Sequence, residues 1–458
     1  MSRSLLPIAA LPFLLAGCGS IDRATHVATG FVSHQLCSAT FVTGVDPETF
    51  YREAIGPTMG PVDFLLGHKV DREKREVTAT FAGLSESRAV YRGALGCIVL
   101  KDPPPPAETI ALGEAAPSLL PEIAGPAVVE PADPTLKAAL DRTFEEPGNP
   151  QRGTKAVLVV KGGKVIAERY APGYGIDSEI IGWSMTKSVT NALLGILVRQ
   201  GRISMTGPAP IAAWADPKDP RHAITLDNLL RMNSGLDIGQ SLTASAGDAF
   251  DPSAQMVFVE RDMAGFAEKA PLRFQPGTDW NYTNGNTLLL SRVIRDQTGG
   301  TAASTLAFAH RELFDRLGMR RVTLEFDSTG TPIGSSHMLA SARDWAKFGL
   351  LYLHDGVVGG QRLLPEGWVD YSASFTPHSG EYGYAAGFWT NRGDSGGARY
   401  RIKHGMPADA FMARGAYGQY VVVAPSLDLV VVRMGMSFER RNDLDSVARL
   451  IADVAAMK

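Results

Sequence analysis

Two kinds of hydrophobic spacing run through this chain, and each predicts its own element. Short apolar runs, Val157-Leu-Val-Val and Val165-Ile-Ala, are joined through Gly162-Gly163 and predict a hairpin over residues 157–170. A second hairpin is predicted over 419–434, where Tyr420-Val-Val-Val-Ala and Leu429-Val-Val-Val flank a turn at Pro425-Ser426. Residues 75–81 and 89–92 alternate in the same way. Elsewhere the apolar positions step by three and four. Met185, Val189, Leu193, Ile196 and Leu197 form one such stripe, ended by Gly201, so a helix is predicted to begin near Ser184. Further helices are predicted at 227–231, 287–298 and 341–354, and a last one from Asp443 to about residue 457. Strand pairs near both ends of a helical middle predict an α+β fold. Its antiparallel sheet is built from both ends of the domain and flanked by helices, with an all-helical subdomain.

Composition divides the chain further. Residues 5–15 form an apolar run after Arg3, too short to span a bilayer and suited to a secretory leader. It closes on Leu15-Ala-Gly-Cys18, which resembles the lipobox of bacterial lipoproteins and implies cleavage before Cys18 and lipid attachment there. The expected divisions are a leader at 1–18, a small cysteine-containing unit at 19–101, a Pro-rich linker or wrapping arm at 102–133, and the main domain at 134–458. Cys37 and Cys97 are an even pair in an exported chain. A structural disulfide is the expected state, two buried free thiols the alternative. The protein is therefore expected in the bacterial envelope, in the periplasm and held to the membrane through Cys18.

With 458 residues and 45% hydrophobic content the chain can bury a large core. A net charge of −3 gives no electrostatic reason to expect nucleic acid. Nine histidines show no metal-ligand spacing, so neither a metal nor an organic cofactor is expected. Oligomeric state is not legible.

Candidate chemistry begins at Ser184-Met-Thr-Lys187. On a helix this spacing places a hydroxyl and an amine on one face, and a desolvated lysine can take the serine's proton. A serine at a helix start is also an ordinary cap, and such tetrapeptides arise by chance, so context must carry the assignment. A second cluster, Asp279-Trp-Asn-Tyr-Thr-Asn, presents Tyr282 and Asn284 two positions apart before a helix. A phenol beside a lysine ammonium has a depressed pKa and can shuttle a proton, although a packed aromatic at a turn explains Tyr282 alone. A third cluster, Ala413-Arg-Gly-Ala-Tyr-Gly-Gln419, opens the last hairpin with glycines that allow close backbone approach. Lys403-His-Gly405 is discounted because Pro407 bars a strand after it.

Taken in order, Ser184-x-x-Lys187, Leu230-Arg-Met-Asn-Ser-Gly-Leu, Tyr282-x-Asn284 and Ala413-Arg-Gly-Ala-Tyr-Gly-Gln resemble the serine hydrolases of the class C β-lactamase superfamily. That superfamily includes penicillin-binding peptidases, and the likeness is greatest to its 6-aminohexanoate-dimer hydrolase and family VIII esterase-like branch. It covers roughly the last 300 residues. The resemblance implies Ser184 as nucleophile, Lys187 as its base and Tyr282 as the partner acid/base that protonates the leaving group, with Lys187 or Tyr282 taking the serine's proton. It implies Asn284 as an orienting amide for Lys187 or substrate, and the N–H groups of Ser184 and Ala416 as an oxyanion hole, with Gly415 allowing the approach. The implied activity is hydrolysis of a small-molecule ester or amide through an acyl-enzyme. Ala413 departs from the lysine or histidine usual in the third motif, which weakens a β-lactamase or D-alanyl-D-alanine peptidase reading, with Arg414 the neighbouring cation that can partly substitute. A non-catalytic envelope binding module is the alternative of another class.

Overall fold

A computed structural model describes residues 11–146, 148, 151–242, 246–438 and 442–457, with side chains from residue 19 onward except Ala246 and Asn442. The expected lipidation site Cys18 and the whole of the expected leader, residues 1–18, thus lie outside the described side chains. Helix α1, Leu11–Ser38, comes first. No described helix is long and apolar enough to cross a membrane.

The strands β1 (Leu66–Asp71), β2 (Glu76–Phe81), β3 (Ser85–Tyr91) and β4 (Cys97–Val99) follow as an antiparallel meander. Ala28, Val32 and Leu36, spaced by four on α1, meet Val77, Ala79 and Ala89 of β2 and β3, so helical and strand periods close one small core. The Cys37–Cys97 disulfide ties the end of α1 to β4 and excludes the free-thiol alternative. Residues 102–133 form neither helix nor strand. They wrap the main body rather than span open solvent, because Leu120 and Ile123 sit in its core and Ile123 O accepts the Val165 N–H at 2.9 Å.

The main body starts with α2, Pro134–Phe144, capped by Asp133, and the hairpin β5 (Thr154–Lys161) and β6 (Lys164–Tyr170). Helix α3 spans Thr186–Arg199 and α4 Pro252–Phe258. Then come α5, Asn284–Gln297, and α6, Ala342–Leu353. Late in the chain lie β7 (Trp389–Thr390), β8 (Phe411–Gly415), β9 (Gln419–Ala424), β10 (Leu429–Gly435) and helix α7, Asn442–Ala456. The six strands form one antiparallel sheet in the order β7-β8-β9-β10-β5-β6, so the two ends of the domain meet where β10 pairs with β5, Val431 opposite Val159. Alternate residues of these strands face opposite layers. Ala156, Leu158, Val430 and Val432 join the larger core with α3 and α6, while Val157, Val159 and Val431 join a second core with α2 and α7. Both predicted hairpins and the predicted sheet are present. Helices α4 and α5 belong to the helical region beside this sheet.

Helix α1 also docks on the main body. Its Gly30 lies against α4, where an added Cβ would stand 2.9 Å from the Phe258 carbonyl oxygen, so only glycine allows that approach. His34 Nε2 lies 2.7 Å from Glu325 Oε2, both groups fully buried. Glu325 also accepts the Ser38 hydroxyl at 3.1 Å and the Cys97 N–H at 2.8 Å. With His337 these form the one group among the described residues where three metal-type side chains converge, within 4.8 Å. Protein donors already occupy the carboxylate, which makes the cluster a buried lock between α1 and the main body. His34→Ala is expected to cost about 2–3 kcal/mol, read as a lower denaturant midpoint at unchanged slope, because it strands part of a buried carboxylate. An unmoved midpoint would show that the lock contributes nothing.

Candidate active site

The helix carrying the lysine begins later than the spacing predicts. Trp183–Met185 form a single 3₁₀ turn, and α3 starts at Thr186. Ser184 is therefore not the helix N-cap. It sits on a tight turn whose preceding residue, Trp183, has φ +47°, a left-handed conformation that costs free energy for a bulky side chain and concentrates at functional sites. The polar groups of α3 are anchored from within the core: Ser188 Oγ donates to Gly387 O, Thr190 Oγ to Gly334 O, and Asn191 Nδ2 to Ala386 O. A helix held all round in this way presents its first turn rigidly.

Lys187 Nζ lies 3.1 Å from Ser184 Oγ, 2.7 Å from Asn284 Oδ1 and 2.9 Å from Ser335 O. Burial drives its pKa down to about 7. A neutral amine has two N–H donors and one lone pair. Asn284 and the Ser335 carbonyl take the donors, which leaves the lone pair for the Ser184 hydroxyl. Asn284, at the start of α5, thus orients the lysine, and its own N–H donates to Ser241 Oγ at 3.1 Å. Neither Ser335 nor Ser241 was predicted. Nothing periodic marks either, and each acts from a loop far from Ser184 in the chain.

Tyr282 is brought to the same place, close enough to Ser184 for the hydroxyl to act on its pKa, with Lys187 Nζ 4.8 Å from its ring centroid. The expected depression of its pKa does not occur. The lysine faces the ring rather than standing beside the oxygen, and burial among Tyr384, Trp389 and Trp280 pushes the phenol up to about 12. Tyr282 is a protonated phenol at neutral pH.

Strand β8 crosses the Ser184 turn at Gly415. A Cβ there would fall 2.1 Å from the Gly182 carbonyl oxygen, so glycine is required for the crossing. The crossing brings Ala416 alongside Ser184 at one cavity. Gln419 steadies the loop: its Nε2 donates to Ala416 O at 3.1 Å and its Oε1 accepts the Gly435 N–H at 2.9 Å. Ala413 is buried in the core. Arg414 does not substitute for a motif cation in the cavity; its guanidinium lies 5.6 Å from the Trp389 ring and 5.7 Å from the Tyr420 ring, outside the cavity lining.

Residues 140–456 match the family described as Beta-lactamase. A 6-aminohexanoate-dimer hydrolase of Paenarthrobacter ureafaciens is 24% identical over 365 residues, spanning 73% of this chain and 80% of that protein. Among solved structures, a Bacillus anthracis protein provisionally named a 6-aminohexanoate-dimer hydrolase superposes with a TM-score of 0.56 at 22% identity, covering 74% of this chain and 86% of that one. A penicillin-binding protein from Bacillus halodurans gives 0.52 at 18% identity, covering 69% and 99%. These structural likenesses speak to the fold.

Proposed function

Because this chain belongs to the beta-lactamase family, we propose that it is a serine hydrolase that cleaves an ester or amide through an acyl-enzyme on Ser184. The observation that carries the reading is the buried Lys187 Nζ, 3.1 Å from Ser184 Oγ and held by Asn284 Oδ1 and Ser335 O, so that its uncharged form can take the serine's proton.

Ser184 Oγ attacks the substrate carbonyl carbon as its proton passes to the Lys187 amine. The carbonyl oxygen becomes an oxyanion between the N–H groups of Ser184 and Ala416. The bond to the leaving group then breaks. The departing oxygen or nitrogen takes the Tyr282 phenolic proton, which the Lys187 ammonium, facing the ring, replaces by way of an intervening water, and the acyl group stays on Ser184. Water enters where the leaving group was and its oxygen bonds to the acyl carbon as it gives up a proton to the same lysine–tyrosine pair; that proton returns to Ser184 Oγ as the acyl–serine bond breaks and the acid leaves. The name of the Paenarthrobacter relative, a 6-aminohexanoate-dimer hydrolase, and a solved neighbour described as EstCE1, a hydrolase with promiscuous acyltransferase activity, support this class.

A panel of short activated esters, linear amides and a chromogenic cephalosporin tests the reading. Ester or amide turnover is expected to exceed cephalosporin turnover, because the third-motif cation is absent and Arg414 is turned into aromatic rings. Fast cephalosporin hydrolysis with weak ester activity would transfer the assignment to a penicillin-recognising enzyme. Export and an anchor at Cys18 belong to the same proposal; the Cys37–Cys97 disulfide supports export, and the anchor rests on the Leu15-Ala-Gly-Cys18 sequence. Metabolic palmitate labelling, expected in the wild type and absent in Cys18→Ser, checks the anchor.

A further inference from the structure

A cavity of about 330 Å³ opens from Ser184, and the segment that precedes the matched family span supplies much of its wall. Ala24, Ala28 and Phe31 of α1, with Met59 and Val62, form one side. Ala254, Val257 and Phe258 of α4 form another. Phe31 is the join: its ring stacks on Trp183 at 6.1 Å and 14°, and meets Phe258 edge-on at 5.6 Å. Helix α1 is thus packed against the residue that precedes Ser184, and the disulfide and the His34–Glu325 pair hold it there.

Two features identify the occupant. Ser184, Ala416 and Asn284 line the cavity, whereas Tyr282 and Lys187 do not. The leaving group must stand beside Tyr282, since it takes that proton. A cavity reached from Ser184 on the side without Tyr282 therefore receives the acyl half of the substrate. The second feature is charge. None of the described lining residues is Lys or Arg, while Asp248 and Asp251 are both present. Asp251 is held as the cap of α4, accepting the Ser253 N–H at 2.7 Å. An acyl group ending in a carboxylate would find no cation in this lining and would face two aspartates.

Resting on the acyl-enzyme reading above, we propose that this cavity holds an apolar acyl chain without a terminal carboxylate, so that the substrates are esters or amides of medium-chain fatty acids, with α1 setting chain-length preference. Each methylene taken from water into such a wall is worth about fourfold in kcat/KM until the cavity is filled.

The test compares p-nitrophenyl acetate and octanoate, below micelle formation, in the wild type, Ala28→Phe and Ala254→Phe, with Ser184 labelling by an ethyl fluorophosphonate measured in parallel. The octanoate-to-acetate ratio of kcat/KM is expected to reach about 100 or more in the wild type and to fall at least about tenfold in either filled-cavity variant. The variants approach from opposite walls, so one that fails to fold leaves the other to decide, and the wild-type ratio decides alone if neither folds. A wild-type ratio near one, or a high ratio untouched in folded variants, with Ser184 still labelled, overturns the acyl-chain inference and leaves the hydrolase reading standing. No labelling and no turnover of either ester overturns both.

Discussion

Ser184→Ala is expected to lower turnover of a short activated ester by about 10⁴- to 10⁶-fold, the scale on which loss of a nucleophile acting within a catalytic group is felt. The substitution removes one hydroxyl from a partly exposed turn and leaves the contacts of Lys187 to Asn284 and Ser335 in place. Stability should therefore change by less than about 1 kcal/mol, and a thermal unfolding curve recorded beside the kinetics separates lost chemistry from lost fold. Labelling by a fluorophosphonate should vanish with the hydroxyl. Full activity in the alanine variant would end the acyl-enzyme reading, whereas a wild type that neither turns over ester nor takes the label would favour a non-catalytic binding role for the cleft.

Lys187→Met should cost about 10³- to 10⁴-fold, and the pH profile of the wild type tells why. The amine can accept the serine proton only when uncharged. Desolvation has lowered its pKa to about 7 from the usual 10.5, so the competent fraction rises as pH rises through 7. Below that point kcat/KM for an uncharged ester should climb about tenfold per pH unit, then level off between pH 8 and 10. A phenolate base at Tyr282 predicts a different curve. With that phenol pushed up to about 12, the rate would keep climbing through the alkaline range. A profile flat from pH 5 to 9 would remove Lys187 from the base role.

The relation between Lys187 and Tyr282 shows where reading the chain alone falls short. Both side chains were identified from local context, yet the effect of one on the other was assigned the wrong sign. A lysine near a tyrosine lowers the phenol's pKa only if its charge reaches the oxygen. Here the amine is largely desolvated and lies over the ring face, 4.8 Å from the centroid, so burial dominates. Arg414 carries the same lesson. It follows Ala413 directly, but strand alternation and two aromatic rings turn it from the cavity.

The strands at both ends of the domain, the stripe of α3 and the serine–lysine spacing were all legible in the sequence, because each is encoded within a window of some twenty residues by period, turn residue or cap. The order of the four short motifs added the family. The desolvation that makes Lys187 a base, the carbonyl of Ser335 that takes its second hydrogen, and the placing of α1 over Ser184 were decided by tertiary structure. Each of these needs groups that lie many residues apart in the chain and meet only when the core closes, and no local periodicity records which distant surfaces will exclude water together.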